Sequence, residues 1–499
     1  MVQAVRGGRA RRRFFVPRVH GRGVSKLARQ RLRSIRICLM RCASHEFRFL
    51  FLCELLAADR MDPGRIFRRS AGRPGSRMGY AEREGVETYR MKIVIMNSLY
   101  TPHIIGGAEI STQILAEALV SAADVHVITL GGQKRTDGVL EEKIGGVTVH
   151  RLPHNNLYWI GEAKRRRGVL AKTARRLVDL YNPWQIGAVK ERLEAIRPDL
   201  IHTQNLSGFG AAVWTAAASL GVPIVHTLRD YSLLSPVSSP ISNPALSRLY
   251  ALTSGGFSSR VAAVVGISSH ILKRHTDAGL FRGAARHVIP NAVVGKIAAS
   301  GGKEFDRKPL RIGYFGRIEP EKGVPELIEA VLSLPEAVVE QAIICGEGSL
   351  RAKLADSCRH DGRIFFTGQV KPAEARSMMA QADVNFVPSV WEEPFGRVII
   401  ESYQVGTPVY ASEVGGIPDA VWNPDEFLFP PGSVAAIRNK IVAFHALSGD
   451  EKRRIQASCL EHCGKFTQTS LLEKHLDLYA RTLISGSDYA AEAAYGQVH

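Results

Sequence analysis

The sequence contains little that would set it apart from ordinary globular proteins. Seven cysteines in 499 residues are too few for a disulfide scaffold, and Cys459 and Cys463 have no second pair at metal-binding spacing. We therefore expect reduced thiols in a cytoplasmic protein. The best candidate for a membrane span, Phe209–Leu228, is interrupted by Pro223, which favours a helix followed by a buried strand. The sequence thus argues against disulfide-rich and membrane-spanning proteins.

The positive charge lies mainly at one end of the chain. Lys and Arg exceed Asp and Glu by 66 to 47, a net charge of +19 that by itself would suggest nucleic acid or an anionic membrane as partner. Residues 1–90 hold 22 basic and 7 acidic residues, whereas 91–499 hold 44 and 40. We expect 1–90 to be a basic, disordered extension; a transit-like leader or sequence upstream of a start at Met91 are open alternatives. The body gives no reason to expect nucleic-acid binding.

From Met91 onward, short apolar β-rich runs alternate with stretches of helical spacing. One series runs from the strand predicted at 92–96 to one at 288–289, and a second from 310–315 to 408–411. Such alternation indicates parallel sheets covered by helices on both faces. We predict an α/β protein with two tandem Rossmann-like, doubly wound parallel-sheet domains that face each other across a cleft. Their expected bounds, and those of the final segments, are 91–300, 301–465, a helix at 466–485 and a disordered tail at 486–499.

The most informative segment is 388–416, PSVWEEPFGRVIIESYQVGTPVYASEVGG. Glu393 and Glu401 are eight positions apart, so on a helix they would share nearly one face. We expect that helix to begin at Pro394, with free N–H groups in its first turn that favour an anion such as a diphosphate. The turn would contain Pro394, Phe395 and Gly396. One carboxylate could then accept hydrogen bonds from sugar hydroxyls and the other from ribose hydroxyls.

This segment resembles the donor-site signature of glycosyltransferase family 4, retaining enzymes of the GT-B fold. The stretch 316–323, GRIEPEKG, is similar to the family's phosphate loop. There Arg317 offers a bidentate fork and Lys322 a point charge, which would stabilise a leaving nucleoside diphosphate. Two further loops resemble those that contact the nucleotide in the family, and their expected donor contacts are Gly346, Gln369 and Val370.

The first domain shows the same resemblance. The stretch 102–109 is similar to the family's glycine loop, where Gly106 and Gly107 would permit close approach of the backbone to the donor or acceptor. The strand 198–205 resembles the family's PDVVHxHN strand, with His202 and Asn205 on the acceptor side. The family's TLHDY stretch is present as TLRDY, which places Arg229 where a histidine is usual. The resemblance implies that Arg229 and His226 lie on the acceptor side and that Asp230 contacts the acceptor. A single histidine at the end of a strand, as His226 is, is also typical of a structural role. Because arginine stays protonated, a general-base role does not transfer to this position.

The resemblance implies transfer of a sugar from a UDP- or GDP-sugar to a glycan or lipid-linked acceptor, in cell-surface polysaccharide synthesis and without a metal or cofactor. Implied catalytic residues are Glu393, Arg317, Lys322 and Asp230. The family's last helix, expected at 466–485, would cross back to the first domain.

Two alternative functions remain open, as does the role of one basic stretch. A nucleotide-sugar epimerase or hydrolase of the same fold would turn over its donor without an acceptor, although the complete Arg–Lys–Glu–Glu set argues against it. A nucleic-acid-binding protein would depend on 1–90 and show steep salt dependence. The basic amphipathic stretch 164–176 would either be a solvated helix face or lie on an anionic bilayer, at the inner face of the cytoplasmic membrane.

Overall fold

The structure is a computed structural model that describes residues 90–132, 138–161, 168–235, 244–299, 305 and 309–495. The predicted extension 1–90, apart from Arg90, therefore lies outside the described residues, as do 164–167 of the basic stretch, 300–304 and 306–308 at the predicted domain boundary, and 496–499 of the predicted tail. The described residues belong to one compact unit that begins at Arg90.

The first domain is built on an eight-stranded sheet. Its strand order is β3-β4-β2-β1-β5-β6-β7-β8, and the pairs are parallel except for the antiparallel edge pair β3–β4. The strands are β1 Lys92–Met96, β2 Asp124–Gly131, β3 Leu140–Ile144, β4 Val147–Pro153, β5 Leu200–Thr203, β6 Ile224–Leu228, β7 Ala263–Gly266 and β8 Ala285–Val288. The helices are α1 Gly107–Leu119, α2 Val169–Leu180, α3 Pro183–Ile196, α4 Trp214–Ser219, α5 Pro244–Ser258 and α6 Ser269–Asp277.

The second domain repeats this plan with a six-stranded parallel sheet, in the order β11-β10-β9-β12-β13-β14. The strands are β9 Leu310–Phe315, β10 Val339–Cys345, β11 Ile364–Gly368, β12 Val384–Val387, β13 Val409–Ser412 and β14 Leu428–Phe429. The helices are α7 Val324–Leu332, α8 Arg351–Ser357, α9 Pro372–Gln381, α10 Arg397–Gln404, α11 Pro424–Phe427, α12 Val434–Ala446 and α13 Gly449–Cys463. The predicted fold class, two doubly wound parallel-sheet domains in tandem, is confirmed.

Two strands differ from the prediction. β3 is an exposed, charged edge strand, so its sequence has no apolar run that would predict a strand. It pairs with β4 through a tight turn at Gly145 and Gly146. Both glycines have positive φ, as a two-residue hairpin turn requires. β8 spans Ala285–Val288 rather than 288–289, because the sheet also pairs the polar residues that precede the apolar pair.

The final helix, α14, spans Gln468–Tyr495 and is longer than predicted. The disordered tail expected at 486–499 is therefore wrong up to Tyr495, where alanine-rich sequence continues the helix. Within α14, the Tyr479 hydroxyl lies 2.6 Å from Nδ1 of His202 in β5. The helix thus packs back on the first domain after the second domain is complete.

Buried histidines form part of the core of the first domain. The His226 ring stacks on Phe281 with centroids 5.5 Å apart, and its Nδ1 lies 2.9 Å from the Thr203 hydroxyl. Burial lowers the pKa of His226 to about 3. Burial likewise lowers the pKa of His275 and of His475 to about 4. These rings are neutral packing elements at physiological pH.

Replacing His226 by phenylalanine is expected to weaken the pH dependence of stability. The folded-state pKa, about 3, lies below the unfolded value of about 6.5, so the unfolded chain binds more protons at acidic pH. The stability contribution is complete above the unfolded pKa and is lost as the pH falls, by about 2 kcal/mol at about pH 5. Urea titrations at about pH 7.5 and about pH 5 should therefore show a smaller loss of unfolding free energy in the variant. An equal loss in both proteins would contradict this role for His226.

Candidate active site

Loops that follow strands of both sheets meet in the cleft between the domains. The loop 388–396 follows β12, and we call it the donor loop. Ser268, at the start of α6 in the first domain, donates from its hydroxyl to the Pro394 carbonyl at 2.7 Å. Arg274 of α6 contacts Glu392 at 3.1 Å. Because parallel sheets bind ligands beyond the carboxyl ends of their strands, this is the expected position of a site.

Glu393 lies in the donor loop and not on a helix. α10 begins at Arg397, after Gly396 at φ 93°, a left-handed conformation that favours glycine. The predicted helix start at Pro394 is therefore wrong, and Glu393 does not share a helix face with Glu401. Phe395 is buried, and its ring centroid lies 5.9 Å from that of Phe466. This contact anchors the loop in the core.

Glu393 forms a largely buried ion pair with Lys322. The two side chains are 13% and 15% exposed, and the Ser389 hydroxyl donates to the same carboxylate oxygen at 2.8 Å. Lys322 ends a short turn after β9, and β9 is the sheet neighbour of β12. A Cβ at Gly323 would lie 1.8 Å from the Pro388 carbonyl, so only glycine lets the two loops come this close.

Arg317 precedes this pair in the phosphate-loop stretch and is far more accessible. Its side chain is 64% exposed and contacts Glu321 at 3.4 Å. Exposed pairs of this kind contribute about 1 kcal/mol or less, so an incoming anion can replace Glu321.

The loops after β9, β10 and β11 pack backbone to backbone. The Gly346 N–H donates to the Gly368 carbonyl at 3.0 Å, and the Gly316 N–H donates to the Cys345 carbonyl at 3.0 Å. A Cβ at Gly346 would lie 1.9 Å from the Gly316 carbonyl. Beyond Gly368, Gln369 is exposed and Val370 packs on a small apolar cluster. Gly316, Gly346 and Gly368 thus lie close together at the carboxyl ends of three neighbouring strands, and we call them the glycine floor.

Arg397 connects the two domains and was not identified from the sequence. Its Nε donates to Glu401 at 2.7 Å, and its guanidinium reaches the Ser111 hydroxyl of α1 at 3.2 Å. A Cβ at Gly107 would lie 3.6 Å from the Arg397 side chain, so the glycine loop faces this arginine across the cleft. The signal available in the sequence was its place directly after Pro-Phe-Gly, at the start of α10.

The glycine loop is held by an acidic residue that the sequence analysis also missed. The Gly106 N–H donates to the Glu109 carboxylate at 2.8 Å, closing the first turn of α1. Burial raises the pKa of Glu109, and the charge of Asp230 adds to this rise. Glu109 and Asp230 therefore lie within electrostatic reach of each other on the first domain's side of the cleft.

Arg229 and Asp230 are fixed by amide side chains. Arg229 donates to Gln204 and, at 2.7 Å, to Asn291. Burial lowers the pKa of Arg229 to about 9, which leaves the guanidinium charged at neutral pH. Asp230 accepts from Asn205 at 2.7 Å and is otherwise half-buried. The structure brings Asn205 and Asp230 together, as a shared acceptor-side position requires.

His202 and His226 do not face the cleft. Both are buried in β5 and β6, where His202 bonds the Tyr479 and Thr227 hydroxyls and His226 bonds Thr203. The structure therefore does not place His202 on the acceptor side, and it gives His226 the structural role that is common for a histidine at the end of a strand. A histidine pointing from a central strand is enclosed by the helices that cover the sheet.

The described part of the basic stretch begins at α2. Leu170 is 87% exposed, and Lys172 is exposed beside it. Arg175, which belongs to the basic stretch 164–176, is buried and pairs with Asp179 at 3.5 Å. Among the residues with an assigned position, no helix combines the length and apolar character needed to cross a bilayer.

Comparison with known proteins assigns the chain to a family. A model of the glycosyl transferase 4-like domain matches residues 106–292, and a model of glycosyl transferases group 1 matches 298–458. An uncharacterized 42.6 kDa protein in the cps region of Klebsiella pneumoniae is 31% identical over 335 residues, which cover 66% of this chain and 86% of that protein. The chain belongs to the family 4-type glycosyltransferases of the GT-B fold.

Two further proteins are similar to this glycosyltransferase. TuaC of Bacillus subtilis (strain 168), a glycosyltransferase whose name places it provisionally in teichuronic acid biosynthesis, is 26% identical over 50% of this chain and 61% of its own. Anabaena Alr3699/HepE, solved in complex with UDP, superposes with a TM-score of 0.58 at 21% identity over 78% of this chain and 100% of its own. The same protein was also solved in complex with UDP-glucose.

Replacing Gly415 by alanine is expected to displace Glu393. Gly415 has φ 61°, and a Cβ there would lie 2.4 Å from the Glu393 carbonyl. Gly432 has φ 73°, but the nearest atom to its added Cβ, on Val390, is 3.9 Å away, so it supplies a matched control for backbone strain alone. Denaturant titration should show a loss of about 1–2 kcal/mol in Gly432→Ala and roughly 2 kcal/mol more in Gly415→Ala. Equal losses would show that the donor loop tolerates the added methyl group.

Proposed function

We propose that this glycosyltransferase moves a sugar from a UDP- or GDP-sugar to a glycan or lipid-linked acceptor, with retention of configuration, in cell-surface polysaccharide synthesis. The observation that carries the proposal is the Lys322–Glu393 pair between neighbouring loops of the second sheet. The UDP and UDP-glucose complexes of HepE support a nucleotide-sugar donor. The cps-region relative and TuaC support a role in polysaccharide synthesis.

The diphosphate of the donor would lie over the glycine floor, with Arg317 and Lys322 as its cations. Breaking the glycosidic bond leaves charge on the phosphate oxygens, and fixed cations stabilise that charge. Lys322 can contact a phosphate oxygen while it keeps Glu393 in place, since an ammonium group has three donors. In this proposal the side-chain cations replace a metal ion.

The two glutamates would orient the sugar and the ribose. Glu393 lies in the donor loop between the phosphate cations and the first domain, where its carboxylate can accept hydrogen bonds from sugar hydroxyls. Glu401 is held by Arg397 through one oxygen, at 2.7 Å, which leaves the other for ribose hydroxyls. The described residues offer no group that we assign as a covalent nucleophile.

Transfer with retention would proceed on one face of the sugar. The bond from the anomeric carbon to the phosphate oxygen breaks, the acceptor oxygen bonds to that carbon, and the acceptor proton passes to the departing phosphate oxygen. Asp230, fixed by Asn205, would position the acceptor hydroxyl, and Arg229 would stay charged beside it. An epimerase or hydrolase would instead consume the donor alone, which an assay without acceptor detects.

Changing Lys322 to methionine or Glu393 to glutamine is expected to abolish transfer in a folded protein. Each change removes a charged side-chain group that would contact the donor, so kcat/KM for the donor should fall by roughly 10²–10³. The measurement is release of nucleoside diphosphate in the presence of acceptor, over a panel of UDP- and GDP-sugars. Lys371→Met and Glu336→Gln make the same chemical changes at exposed positions of the second domain and should keep wild-type rates. Wild-type activity in either folded site variant would overturn this assignment.

We further propose that the α2 face of the first domain lies on an anionic bilayer. Leu170 and Leu177 on α2, Tyr181 just after it and Trp184 at the start of α3 are exposed. Lys172 lies among them, and four basic residues, 164–167, come just before in the sequence. Exposed aromatic and apolar side chains beside lysine and arginine are typical of interfacial helices. Such a position would bring the cleft to a lipid-linked acceptor.

Leu170→Gln combined with Trp184→Gln is expected to reduce binding to anionic vesicles by tenfold or more, about 1.4 kcal/mol, since each side chain loses apolar burial. Co-sedimentation with phosphatidylcholine vesicles, with or without about 30% phosphatidylglycerol, measures this binding. Leu252→Gln, an exposed leucine on α5, is the matched control. Binding that is unchanged in the double variant, or equally strong to neutral vesicles, would contradict the proposal.

A further inference from the structure

Two aromatic side chains with polar ends meet in the cleft from opposite domains. Tyr231 follows β6 and comes directly after Asp230 in the first domain, and Trp391 lies in the donor loop two positions before Glu393. Their ring centroids are 6.1 Å apart at an interplanar angle of 78°, an edge-to-face arrangement. Neither residue was singled out by its sequence context.

The polar atoms of both side chains are buried without a partner. Neither the Tyr231 hydroxyl nor the Trp391 indole N–H has a hydrogen-bond partner among the described residues, and both atoms are covered where the two domains meet. An unpaired buried donor costs about 1–3 kcal/mol, and buried polar groups in native proteins are nearly always bonded. These two donors lie at one point between the domains, so a ligand that enters between the two rings would supply the missing acceptors.

The pair lies beside the charged groups of the site. The Lys322 ammonium is 5.6 Å from the Trp391 ring centroid, in cation–π geometry. Burial raises the pKa of the Tyr231 phenol, and the charges of Glu392 and Glu393 raise it further. The Tyr231 hydroxyl is therefore protonated at physiological pH and able to donate, as is the Trp391 indole.

Contacts within each domain hold the Tyr231 ring and the backbone next to Trp391. The Tyr231 ring stacks on His275 with centroids 6.0 Å apart and planes 8° from parallel. Its carbonyl accepts from the Leu234 N–H at 3.0 Å. On the other side, the Val390 N–H donates to the Glu321 carbonyl at 3.0 Å, which ties the donor loop to the phosphate-loop stretch. Preorganised donors of this kind lose little entropy when they bind.

We propose that the Tyr231 hydroxyl and the Trp391 indole N–H donate hydrogen bonds to hydroxyl oxygens of the transferred sugar and determine which sugar is accepted. This inference rests on the proposed function. A site with fixed donors rejects a sugar that lacks the matching hydroxyl, because the buried donors then stay unpaired. Since Tyr231 belongs to the first domain and Trp391 to the second, the sugar is recognised by both domains together.

The test separates recognition of the sugar from recognition of the nucleotide. Calorimetry on the full chain gives Kd for UDP with UDP-glucose, UDP-galactose and UDP-N-acetylglucosamine, and for GDP with GDP-mannose. For the sugar that the wild type binds, Tyr231→Phe and Trp391→Phe should each lower the ratio of nucleotide Kd to nucleotide-sugar Kd by about tenfold, the loss of one hydrogen bond. Nucleotide Kd should stay within about twofold of wild type.

Tyr410→Phe and Trp422→Phe are the matched controls, because both side chains pack within the second domain around Phe427. They should leave the ratio unchanged. An unchanged ratio in both site variants, or an equal loss of nucleotide and nucleotide-sugar binding, overturns the inference and leaves the proposed function standing. A wild-type chain that binds none of the four nucleotide sugars overturns the proposed function, and the inference with it.

Discussion

The buried ion pair between Lys322 and Glu393 is the interaction on which the rest of the site depends. The two residues come from loops after β9 and β12, which are neighbours in the second sheet, so the topology alone places their loops side by side. Two charges that are this little exposed are stable only as a pair, because each alone would remain desolvated and uncompensated. Gly323, Gly415 and Gly416 meet this need by letting backbone atoms approach the donor loop where a side chain would collide. The anchoring of Phe395 in the core fixes the loop from the other side.

The first domain completes the cleft through a separate set of fixed polar groups. Arg229, which stands where the family usually has histidine, binds Gln204 after β5 and Asn291 on the segment that leads to the second domain. Arginine at this position therefore replaces a ring that can titrate with a permanent cation. This cation connects the first sheet to the segment between the domains. Arg397 makes a contact that starts from the second domain, because it donates to the Ser111 hydroxyl of α1. Both arginines are held by hydrogen bonds to protein groups, so each guanidinium group keeps a fixed position at the cleft.

Much of the fold follows from the sequence because buried parallel strands leave apolar runs with glycine-rich turns between them. The phosphate-loop stretch, the glycine loop and the donor segment were recognisable for the same reason, since each combines special backbone geometry with charged residues. The predictions that were wrong concerned features that depend on tertiary contacts. Because α10 begins only after Gly396, Glu393 lies outside the helix, and because β5 is a central strand, His202 is buried away from the cleft. Glu109, Tyr231 and Trp391 carried no local signal, and Arg397 only its place after Pro-Phe-Gly, because the importance of these residues lies in what faces them from the other domain or turn.

The central claim is that Lys322 and Glu393 act as one unit on the donor. A double-mutant cycle on nucleotide-sugar affinity tests it most directly, using Lys322→Met, Glu393→Gln and the combination of the two. If the residues work as a pair, the double variant should lose little more affinity than either single variant, with a coupling of about 1–3 kcal/mol. Additive losses, as expected for two residues that contact the donor independently, would contradict the account.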